Sequence, residues 1–264
     1  MNDPIAAFAR AEYAIARLRA VAAASEGEVR LGPGIPDEVI GTWLVPVPAD
    51  IRLLAREIGE IWFDDYDPIT FGHPENFEPT FCRAGAPGTW WALHSNTAAE
   101  NYYADIDSET GAWGRVFYHW EDNSSTLVAP SVTDWFTSLA DGLHLALRVA
   151  AGERVEGLDP GLDDDDLGGF DFESVFQDWW SGHGEIIASP DSPKAAAMAA
   201  PTARHSPDAA LATAAADLPD GAVLADLRTA QFPTFISFNE FRSGTARYRR
   251  FAGGTFLAAI PSGS

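Results

Sequence analysis

Three short runs rich in aromatic residues, separated by turn-forming residues, lie near the middle of this 264-residue chain. The runs are Trp90–Ser95, Asn101–Asp107 and Gly114–Trp120, and a helix-like stretch begins near Ser131. Such runs are typical of antiparallel strands that follow one another in the chain. Ser131 precedes Asp134 by three positions, which predicts a cap at the start of the following helix. We therefore expect a meander of antiparallel strands that leads directly into a helix.

The sequence on either side of the meander adds helices before it and strands after it. Residues 4–24 place apolar side chains at three- and four-residue spacing, and a second helical pattern follows Pro48. The tail, residues 218–261, contains four strand-like runs separated by Gly and Pro. The predicted fold class is α+β. N-terminal helices pack on a twisted, mainly antiparallel sheet, a helix closes it, and a smaller β-rich C-terminal extension follows.

Composition changes along the chain predict four parts. Residues 1–150 form one α+β domain, and residues 151–187 form an acidic loop with a short helix. Residues 188–217 are rich in Ala and Pro, so we expect a linker that buries little surface. Residues 218–264 are predicted to form a small β-rich module.

The formal net charge of −22 restricts the class of partner. Nucleic acids and anionic membrane surfaces bind through positive charge on the protein, so neither is expected here. A basic protein partner fits better. The single cysteine excludes an internal disulfide, and no apolar run is long enough to span a membrane. The N-terminus has no signal-peptide pattern, and we expect a cytoplasmic protein.

Two acidic features could carry chemistry. Asp105 and Asp107 share one face of a predicted strand, where a carboxylate pair could bind a metal or transfer protons. The alternative is that they meet solvent or cap a turn. The run 163–166 does not fit the calcium-loop pattern in either register and reads as a solvated acidic loop. With scattered histidines and no nucleophile or phosphate motif, we expect no catalytic, metal or cofactor site.

Four stretches occur in an order and spacing that resemble a known family. They are Pro48–Leu54, Tyr102–Asp107, Gly114–His119 and Val128–Phe136. Together they resemble the SUKH superfamily, which contains Smi/Knr-type fungal cell-wall-assembly regulators and bacterial toxin-immunity domains. The resemblance covers residues 5–148. It implies a mixed helix-and-sheet domain that binds another protein, often a toxin, without catalysis.

The resulting hypothesis is a non-catalytic protein-binding domain, an immunity or regulatory protein of a bacterial polymorphic toxin system. It would neutralise a basic toxin through an acidic surface near the sheet. The predicted partner-binding residues are Asp105, Asp107, Glu121, Asp122, Trp91 and Tyr103. Two alternatives remain open at this point: a metal- or small-molecule-dependent enzyme built on the tail and the acidic loop, or a scaffold subunit of a secretion-associated complex.

Overall fold

The computed structural model describes residues 4–43, 45–63, 68–70, 90–95, 101–106, 111–119, 124–153, 193–238, 246–251 and 254–261. The helices in these ranges are α1 (Pro4–Ala24), α2 (Asp37–Ile40), α3 (Ala49–Glu57), α4 (Val132–Ala150), α5 (Ala200–Arg204) and α6 (Ala209–Ala215). The strands are β1 (Val29–Leu31), β2 (Glu60–Phe63), β3 (Ile69–Thr70), β4 (Trp90–Ser95), β5 (Asn101–Ile106), β6 (Trp113–His119), β7 (Ser124–Ala129), β8 (Ala197–Ala199), β9 (Val223–Asp226), β10 (Thr234–Ser237), β11 (Ala246–Phe251) and β12 (Phe256–Pro261).

These strands form three antiparallel sheets. The central sheet has the order β10-β7-β6-β5-β4, so the predicted meander forms its body. A four-stranded sheet has the order β11-β12-β9-β8, and a small sheet joins β1, β2 and β3. The α+β class predicted from the sequence is confirmed.

One face of the central sheet packs against helices α1 and α4. Side chains alternate along a strand, so Tyr102 and Ala104 of β5 point to this face together with Tyr118 of β6. Helix α4 follows β7 directly and begins as predicted. The backbone N–H of Asp134 donates to Ser131 Oγ at 3.1 Å, which satisfies one of the free donors of the first turn.

The opposite face of the central sheet packs against the C-terminal sheet. Tyr103, Phe117 and Leu127 point to this side and are fully buried. The C-terminal chain covers them with the following side chains: Val223, Ala225, Leu227, Ile236, Phe238, Leu257 and Ala259. Strand β10 also extends the central sheet itself, since Thr234 pairs with Leu127. The tail strands predicted from the sequence are present, but they do not form a separate module.

The predicted linker at residues 188–217 is wrong from residue 193 onward. Strand β8 and helices α5 and α6 occupy this stretch, and Ala200, Ala203 and Ala215 are fully buried. Small side chains allow the short helices to lie close to the sheet. Pro201 stands at the start of α5, where proline fits a helix, and Asp208 caps α6. Ala and Pro here therefore build structure instead of interrupting it.

No helix within the described ranges is both long enough and apolar enough to cross a membrane.

Candidate functional site

A buried ion pair joins the central sheet to the C-terminal sheet. Asp105 on β5 is 1 % exposed, and its Oδ1 contacts Nε of Arg250 on β11. The side chain of Arg250 is only 5 % exposed, and its guanidinium carbon lies 5.5 Å from the centre of the Tyr103 ring. Both charges are therefore removed from water and compensate each other between the two sheets.

A second arginine lies near the same carboxylate. Burial lowers the pKa of Arg115, and the negative charge of Asp105 opposes that effect. Nη1 of Arg115 also donates a hydrogen bond of 2.7 Å to the carbonyl oxygen of Leu227, which belongs to the C-terminal layer. Arg115 and Arg250 thus place two positive charges around one buried carboxylate.

A glycine in the β11–β12 turn makes room for this arrangement. Gly254 has φ +75°, a conformation that side chains rarely adopt. A Cβ atom at this position would lie 2.9 Å from Oδ2 of Asp105 and 3.3 Å from the Phe117 ring. Gly254 therefore permits the turn to close directly over the carboxylate.

The prediction that the Asp105 face is an exposed docking surface is wrong. Asp105 and Tyr103 are on the face that the C-terminal sheet covers, and neither side chain reaches solvent. The alternative that the Asp105 carboxylate meets solvent is wrong for the same reason. Strand alternation placed Tyr103 and Asp105 on one face correctly, but it contained no information about the layer that covers that face.

The other predicted aromatic contact, Trp91, is only partly buried. It lies on β4 at the helix-covered side of the sheet. Its ring centroid is 4.5 Å from that of Trp43 and 5.6 Å from that of Trp113. The indole N–H of Trp113 donates to the carbonyl oxygen of Pro46 at 2.8 Å. Among the predicted partner-binding residues that the structure describes, Trp91 is the one that remains partly accessible.

The three acidic residues predicted to complete the surface, Asp107, Glu121 and Asp122, lie outside the described residues. The register of the neighbouring strands still constrains where the chain leaves the sheet. Ile106 pairs with Trp113, and Asn101 pairs with His119. The chain thus leaves β5 and β6 at opposite ends of the hairpin, roughly 17 Å apart along the strand.

The acidic excess is distributed unevenly between the described and the remaining residues. Of the 39 acidic and 17 basic residues, 16 acidic and 14 basic ones fall in the described ranges. The remaining segments therefore contain 23 acidic and 3 basic residues. The described residues are close to neutral, and the excess negative charge belongs to the residues outside the described ranges.

Sequence reasoning missed Arg250, Arg115 and Gly254. A weak signal was present: β11 reads Ala-Arg-Tyr-Arg-Arg-Phe, which concentrates arginine in a strand of an acidic chain. Period-two alternation places Arg249 and Arg250 on opposite faces of β11, so one of them must face inward. Within the described ranges, no three His, Cys, Asp or Glu side chains come together in a way that could hold a metal ion.

Comparison with protein-family models, with curated proteins and with solved structures found no match to this chain.

Proposed function

We propose that this chain is a non-catalytic protein-binding domain, an immunity or regulatory protein of a bacterial polymorphic toxin system that acts in the cytoplasm. Two observations support this proposal. The SUKH-like stretches lie on elements of the kind that the resemblance implies: helix α3, strands β5 and β6, and the start of α4. The chain carries a formal net charge of −22, which suits recognition of a cationic partner.

The charge distribution is the observation that carries the proposal. Within the described ranges, 16 acidic and 14 basic residues nearly balance each other. The remaining 23 acidic residues have only 3 basic residues among them. A toxin with a basic surface would gain favourable electrostatic energy from these segments, and its association would be fast and sensitive to salt. Partly exposed Trp91 would add an apolar contact near the sheet edge.

Sequencing of the genes that flank this one supplies a candidate toxin, and calorimetric binding to that protein tests the proposal. The key variant replaces the four acids of the run 163–166: Asp163→Asn, Asp164→Asn, Asp165→Asn and Asp166→Asn. A matched control replaces four exposed acids of the described residues: Glu26→Gln, Glu28→Gln, Glu38→Gln and Asp217→Asn. Because long-range attraction scales with the charge facing the partner, we expect the key variant to bind about tenfold more weakly and the control to bind as the parent does.

Salt and growth measurements complete the test. Raising the salt concentration from about 50 mM to about 500 mM shortens the Debye length and should weaken binding steeply. Co-expression should relieve the growth arrest caused by the toxin. No complex and no relief would contradict the protein-binding function, whereas a complex whose affinity is unaffected by salt and by the four substitutions would contradict its acidic mode of recognition.

A further inference from the structure

We draw no further inference here: the strongest candidate, the partly exposed cluster of Trp43, Trp91 and Trp113 beside Pro46 at the β4 edge of the central sheet, carries none, because nothing in the part of the chain that the structure describes shows what covers these indole rings.

Discussion

The two faces of the central sheet are both buried, but they meet different kinds of layer. The helix-covered face contacts α4, which follows β7 directly, and its core is mainly apolar, although it also buries His94, Thr126 and the tyrosine side chains. The opposite face contacts strands that come about 100 residues or more later in the chain, and it encloses the charged pair of Asp105 and Arg250. The first face is thus covered in part by a helix that is adjacent in sequence, whereas the second depends on long-range contacts.

The C-terminal layer bears on the proposed function, because it decides whether the side chains on the second face can be reached from outside. A domain that ended near residue 150 would expose Tyr103, Asp105 and Phe117 to solvent or to a partner. In this chain the C-terminal layer takes that place. The proposed partner recognition would therefore use surfaces other than this face.

Removal of residues 193–264 should have the largest effect on stability, because it removes the layer that covers the second face of the sheet. It uncovers Tyr103, Phe117 and Leu127, whose burial contributes about 1.5–3 kcal/mol each, and it leaves Asp105 without Arg250. Together these losses approach the total stability of a domain, about 5–15 kcal/mol. We expect residues 1–192 to show no cooperative thermal transition by circular dichroism. A cooperative melt at the midpoint of the full chain would show that the helix-covered half folds alone.

Disruption of the buried ion pair should have the next largest effect on the free energy of unfolding. Arg250→Met removes the arginine that contacts the buried carboxylate, leaves only Arg115 near it, and should lower the free energy of unfolding by about 3–5 kcal/mol. The double variant Asp105→Leu with Arg250→Met removes both charges and should regain most of that loss. The measurement is urea unfolding of both single variants and the double variant.

An exposed ion pair on the helix-covered side provides the matched control for this cycle. Arg17 and Asp141 join α1 to α4, and both side chains are partly open to water. Arg17→Met should therefore cost no more than about 1 kcal/mol. The claim that the two buried charges stabilise each other is refuted if the losses in unfolding free energy from Asp105→Leu and Arg250→Met simply add. It is also refuted if Arg17→Met lowers the free energy of unfolding as much as Arg250→Met does.

The alternating patterns of β5 and β6 were sufficient to predict the meander, the strand faces and the capped helix that follows. They could not reveal what lies on each face, because an aspartate on a strand looks the same in sequence whether it faces water or an arginine 145 positions away. The Ala and Pro residues at 193–216 led to the wrong prediction of a linker for a related reason. Small residues favour both flexible linkers and tightly packed short helices, and tertiary contacts decide between them.

Matched truncation of two phenylalanines tests most directly the central claim that both faces of the sheet are core. Phe136 lies in the helix-covered core, Phe117 lies in the core between the two sheets, and both are fully buried. In urea unfolding, Phe136→Ala and Phe117→Ala should each lower the free energy of unfolding by about 3–5 kcal/mol in a single transition. A cost below about 1 kcal/mol for Phe117→Ala alone, or a separate early transition of the C-terminal layer, would contradict the claim.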